Sequence, residues 1–154
     1  MEGLDKVDLN ILSRLQRDGR LSNAKLAAEL SLSETPCWRR LKRMEEEGYI
    51  ESYQANLDRR KLGFGVLAFV QLTCVTHDEH STQAFVEIIQ RSDNVLSCHN
   101  TTGEADFLLQ VVARDLDDYS RFVDRVLRKL PGVSAIRSSI SLKELKSSSR
   151  LPIL

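Results

Sequence analysis

The hydrophobic period of this chain changes partway along it, and that change sets the architecture. Up to residue 48 the apolar residues recur at helical spacing. LDKVDLNILSRLQRDGR puts Leu4, Val7, Ile11, Leu12 and Leu15 on one stripe, with Gly19 as the stop. Ser22 heads LSNAKLAAELSLS, where Leu26, Ala27 and Leu30 form a second stripe. Ser33 is the next N-cap candidate, and Pro36 fits a first helical turn. Cys37, Leu41 and Met44 share a face until Gly48 stops the helix. From residue 66 the pattern is different. VLAFVQLTCVTH (66–77), NVLSCHNTTG (94–103), DFLLQVVAR (106–114) and VSAIRSSISLKELK (133–146) read as strands. STQAFVEIIQRS (81–92) and DLDDYSRFVDRVLRKLPG (115–132) read as helices.

Three short helices followed by β-α-β-β-α-β predict an α+β protein of two domains. The first, 1–56, has the spacing of a helix-turn-helix over about 22–46. Its YIESYQAN segment (49–56) alternates weakly and predicts one or two short strands, a small wing. LDRRKLGFG (57–65) is a Gly-containing linker with room for one helical turn. The second domain, 66–154, has the ferredoxin-like order. A chain of 154 residues is long enough for both.

Composition excludes more than it selects. No apolar run approaches the ~18 residues that cross a bilayer. The polar, acidic start MEGLDKVDLN is not a signal peptide, so a cytoplasmic protein is expected. Cys37, Cys74 and Cys98 lie far apart without a CxxC pair, which predicts free thiols. His77, His80 and the Cys98-His99 pair are too sparse for a metal site, and no metal is expected.

The 22 basic and 22 acidic residues cancel, so a basic surface must come from local placement. RRLKR (39–43) supplies it. With Cys37 at the centre of the buried face and about 100° per residue, Leu41 and Met44 fall on that face. Thr35, Arg39, Lys42 and Arg43 fall opposite, with Trp38 and Arg40 on the flanks. Such a face fits a DNA major groove, with Arg able to grip guanine and Lys or Arg able to neutralise phosphate. Ser33 and the N-terminal amides add an anion site. The competing interpretation is a solvated face balanced by Glu45, Glu46 and Glu47; the helix-turn-helix around it favours DNA.

Glu104 and Asp106 of the GEAD turn raise a second question. Paired carboxylates serve acid–base catalysis or metals, but no third ligand and no nucleophile–base pair lies near them in the sequence. A hairpin turn with capping or solvated acids is the simpler account, and an enzyme is not expected.

SNAKLAAELSLSETPCWRRLKRMEEEGYI resembles the helix-turn-helix of the leucine-responsive/asparagine-responsive (Lrp/AsnC) family of prokaryotic transcription regulators. LDKVDLNILSRLQRDGR resembles its first helix, TTGEADFLLQV its Gly-x-x-Asp turn, and LPGVSAIRSSISLKELK its last strand. The resemblance covers nearly the whole chain in order. It implies DNA binding through Ser33, Thr35, Trp38, Arg39, Arg40, Lys42 and Arg43. It also implies a small amino acid effector, with no other cofactor, held between effector domains of neighbouring dimers. Thr102, Gly103, Glu104, Ala105, Asp106, Phe107, Ser138, Ser139 and Ile140 would form that site, with Asp106 on the ligand's ammonium. Ala105 stands where many members carry an aromatic residue. The resemblance further implies homodimers, formed through the strand near the linker and the effector sheets, that assemble into tetramers or octamers. Such dimers would bind near-palindromic double-stranded DNA in the nucleoid. Two alternatives differ in kind: an effector-independent architectural DNA-binding protein, and a small ferredoxin-like enzyme using Glu104 and Asp106.

Overall fold

The computed structural model describes residues 3–75 and 78–154. They fall into two compact units, Leu57–Leu145 and a second formed by Met1–Asn56 with Lys146–Leu154. The tail 146–154, expected with the C-terminal domain, groups with the N-terminal unit, and 57–65, expected as a linker, groups with the C-terminal one.

The N-terminal unit holds α1 (Lys6–Leu15), α2 (Asn23–Glu29) and α3 (Glu34–Glu46). A reciprocal cap starts α1: the Asp5 carboxylate accepts the Asp8 N–H at 2.9 Å, and the Asp8 carboxylate accepts the Asp5 N–H at 3.0 Å. Ser22 caps α2 by accepting the Lys25 N–H at 3.2 Å. Ser33 is the N-cap residue of α3, but its hydroxyl makes no cap hydrogen bond. Gly48, at φ +76°, ends α3 as its lack of a Cβ allows. The three stripes meet in a core of Ile11, Leu15, Leu26, Ala27, Cys37 and Met44.

Residues 49–56 form no strand. The weak alternation there has no neighbouring strand within the unit to pair with. Side chains hold the segment instead: the Tyr53 hydroxyl donates to Glu45 Oε1 at 2.8 Å. Gln16 pairs with the backbone of Leu151 by two hydrogen bonds, of 2.9 and 2.8 Å.

In the C-terminal unit, β1 (Val66–Cys74), α4 (Glu79–Gln90), β2 (Val95–Asn100), β3 (Phe107–Ala113), α5 (Leu116–Arg125) and β4 (Val133–Ile140) follow the expected order. A 3-10 turn over Leu127–Lys129 extends α5. Each predicted strand begins within about a residue of its place, and the ends are shorter. The sheet order is β2-β3-β1-β4, with every neighbouring pair antiparallel.

Strand alternation gives this sheet two faces. Ala68, Val70 and Leu72 of β1 are buried with Leu109 and Val111 of β3, against Phe85 and Ile89 of α4 and Tyr119 and Phe122 of α5. Phe69, Gln71 and Thr73 of β1 point to the opposite face, opposite Ser139, Arg137 and Ala135 of β4 in register. Among the described residues no helix is long and apolar enough to cross a membrane.

Candidate functional site

The outer surface of α3 carries fewer available cations than its sequence suggests. Ser33, Thr35, Trp38, Arg39 and Lys42 are exposed, Trp38 to 51 %. Lys42 leans 3.8 Å from Glu45, a weak exposed pair. Arg39 meets no carboxylate among the described residues. Arg40 and Arg43 are turned toward α1. Arg40 Nη1 donates to Asp5 Oδ2 at 2.6 Å and to Asp8 Oδ1 at 2.9 Å. Arg43 Nη2 donates to Asp8 Oδ2 at 2.6 Å. This corrects the helical-wheel placement of Arg43 on the DNA-facing side. The wheel fixes the Cα direction only, and a guanidinium on a three-carbon stem reaches round the helix to a buried anion.

Asp8 is 1 % exposed. Burial pushes its carboxyl up, but the Asp5 N–H and the Arg40 and Arg43 guanidinium groups outweigh that and hold it below the usual aspartate value. The Asp8 backbone amide, then Arg40, likewise lower Asp5. The spacing of Asp5 and Asp8 signals a helix cap in the sequence. Their pairing with α3 spans more than thirty residues and has no local signature.

The second feature is a cleft of about 130 Å³ on the open face of the C-terminal sheet. Gln71 and Thr73 of β1, Glu104 and Ala105 of the GEAD turn, and Ala135 and Arg137 of β4 line it. Arg137 Nη1 lies 3.7 Å from Glu104 Oε2, with both side chains largely in solvent.

Only Glu104 and Ala105 of the nine expected effector residues line this cleft. Thr102 and Gly103 sit on the same turn, and Gly103 takes φ +126°, which favours glycine. Asp106 is committed to the fold: its Oδ2 accepts the Cys74 N–H at 2.6 Å, beside the register shift that interrupts the β1–β4 pairing. It does not line the cleft. Phe107 belongs to the helix-covered face, its ring stacked on Phe85 with centroids 4.5 Å apart. Ser138 pairs with Val70 on that same face, and its hydroxyl meets the Tyr119 hydroxyl at 2.5 Å. Ile140 pairs with Ala68, also on the helix side. Ser139 shares the open face with Arg137 but does not line the cleft. Three consecutive strand residues cannot all face one cleft. Alternation carried back from Ser139 would have found Arg137 and Ala135.

Among the described residues no three His, Cys, Asp or Glu side chains gather to hold a metal ion. His77 lies outside the described residues. Cys37, Cys74 and Cys98 are free, and burial pushes each thiol above its ordinary value, away from reactive thiolate.

Comparison with known proteins matches both units. Residues 4–51 fit a family model described as winged helix-turn-helix DNA-binding, and residues 67–151 one described as the Lrp/AsnC ligand binding domain. The Escherichia coli (strain K12) leucine-responsive regulatory protein is 36% identical over 150 residues, covering 97% of this chain and 92% of that one. A transcriptional regulator of Neisseria meningitidis, solved as an L-Met complex, is 37% identical with a TM-score of 0.93 and 97% of each chain covered. An AsnC family transcriptional regulator from Agrobacterium tumefaciens is 33% identical with a TM-score of 0.92, again over 97% of each. With a DNA-binding helix-turn-helix ahead of a ligand-binding sheet domain, the chain belongs to the Lrp/AsnC family of transcription regulators.

Proposed function

We propose that α3 reads double-stranded DNA through Thr35, Trp38, Arg39 and Lys42, and that the open-face cleft binds a free α-amino acid which alters the protein's assembly or DNA occupancy. The exposed Arg39, which meets no carboxylate among the described residues, supports the first part. A helix of this diameter enters the major groove, and Arg39 reaches a base edge or a phosphate there. The Ser33 hydroxyl, unused as a cap, and the α3 amides suit one phosphate.

The observation that carries the second part is the Arg137–Glu104 pair at the cleft. An α-amino acid presents a carboxylate and an ammonium on one carbon. Arg137 suits the carboxylate and Glu104 the ammonium. At 3.7 Å and with both groups solvated, the direct pair contributes little, so a zwitterion separates it at small cost. Gln71, Thr73, Ala105 and Ala135 leave a small, partly polar space for the ligand side chain.

Homodimers pairing two α3 helices would bind near-palindromic sites, and further association to tetramers or octamers would let one effector act on several DNA contacts. The protein would work in the cytoplasm on the nucleoid, without catalysing a reaction.

The test is DNA binding by the full chain against an ionic-strength series, with each proteinogenic amino acid screened by thermal shift. Arg39→Ala and Lys42→Ala are expected to weaken DNA binding about tenfold or more each. At least one amino acid is expected to raise the melting temperature, and Arg137→Gln to abolish that rise. Unchanged DNA affinity in both α3 variants would remove the first assignment. A shift that survives Arg137→Gln would remove the second.

A further inference from the structure

RRLKR on α3 supplies four cations, yet the structure divides them into two kinds. Arg39 and Lys42 stand in solvent, while Arg40 and Arg43 converge on the carboxylates of α1. We infer that Asp5 and Asp8 stand in for backbone phosphate inside the protein, keeping Arg40 and Arg43 out of the DNA contact and so lowering affinity for random sequence relative to a true site. This rests on the assignment of α3 as the DNA-reading helix.

Three observations carry it. The contacts are short and charge-assisted, at 2.6, 2.9 and 2.6 Å, and Asp8 uses both oxygens on two guanidinium groups. Asp8 is almost wholly buried, so withdrawing its cations would leave an uncompensated charge away from water. Moving these guanidinium groups to a DNA phosphate would strand that buried carboxylate, so phosphate is a poor competitor for them. The four side chains also lie within five positions of one helix, so release of Arg40 and Arg43 would add their charge to the surface that carries Arg39 and Lys42.

The consequence is selective. Sequence-independent affinity follows the number of phosphates a protein neutralises, each steepening log K against log salt by about 0.9 on duplex DNA. Base contacts are not counted that way. Withholding two cations therefore weakens random binding most, and leaves discrimination to Thr35, Arg39 and Lys42. Asp8 is in this sense a positioning residue, acting through the arginines it holds.

The test measures the salt dependence of full-chain binding to a random duplex and to a selected site. In Asp8→Asn, random-duplex binding is expected to tighten at low salt, its slope to steepen by up to about two per protomer, and the ratio of specific to random affinity to fall. A merely structural role would weaken both kinds of binding and leave the slope alone. Arg40→Gln and Arg43→Gln, made singly so that Asp8 keeps one guanidinium, are expected to leave the wild-type slope unchanged. Those two variants decide the matter if Asp8→Asn does not fold. Flattened slopes in both, or an unaltered slope in folded Asp8→Asn, overturn the inference. Arg39→Gln separates the two levels of the argument. A weakened affinity for the selected site there keeps the α3 assignment whatever the other variants do. An unchanged one removes that assignment and this inference together.

Discussion

Gln16 and Leu151 pair in both directions: Gln16 Nε2 donates to the Leu151 carbonyl at 2.9 Å, and Gln16 Oε1 accepts the Leu151 N–H at 2.8 Å. A side-chain amide here imitates one rung of a β-ladder and fastens the C-terminal tail to the helical unit. Gln16→Ala should release it. The expected result is faster hydrogen exchange and faster proteolysis across 146–154, with a stability loss of about 1 kcal/mol or less, since both bonds are solvent-exposed. Unchanged exchange in the variant would show that other contacts hold the tail.

Asp106 offers a cleaner test of what the Gly-x-x-Asp turn does. Its carboxylate satisfies the Cys74 N–H at the β1 irregularity. Asp106→Ala leaves that amide without its acceptor, at a cost of about 1–3 kcal/mol. Urea denaturation without any amino acid present should show the loss in full. A variant as stable as wild type would show that the Cys74 amide finds another acceptor.

Ser31 closes the turn between α2 and α3 at φ +55°, in the left-handed region. A serine Cβ is crowded there and a missing one is not. Ser31→Gly should therefore stabilise the protein by about 0.5 kcal/mol, the relief of strain exceeding the added freedom of the unfolded chain. Thermal unfolding monitored by circular dichroism measures it. A fall in melting temperature would mean that the serine side chain contributes more than its strain costs.

The carboxylates on α1 predict a pH dependence. Asp5 and Asp8 are held below the usual aspartate value in the folded state. The stability they carry is complete above the unfolded value of about 3.9 and is lost as pH falls through the lowered folded values. Asp8→Asn should be less stable than wild type at pH 7, with the difference shrinking from about pH 4 downward. Denaturant unfolding at a series of pH values reads this directly. A difference that stays constant to pH 2 would mean that Asp8 does not carry an ionised contact.

How far the sequence discloses this molecule depends on the range of the interaction. Ser22 and Gly48 mark helix ends through chemistry within a few residues, and the structure places both where that chemistry requires. The βαββαβ order is legible because each element carries its own period. The strand expected at 49–56 is absent because a strand exists only with a neighbour, which alternation in one segment does not supply. The surface of α3 is half legible: Arg39 and Lys42 follow the helical wheel, while Arg40 and Arg43 follow carboxylates on another helix. At the cleft, the GEAD turn contributes Glu104 and Ala105, while Ser138, Ser139 and Ile140, neighbours in the chain, alternate between the two faces of the sheet.

The two-faced sheet separates the residues that build the core from those that line the cleft. Gln71 and Thr73 line the cleft, while Val70 and Leu72 between and beside them build the core. No cleft residue belongs to that core. The cleft and the core are thus written on alternate letters of the same strands. A substitution at Gln71 or Thr73 can therefore reshape the open face while the packing beneath it stays as it is.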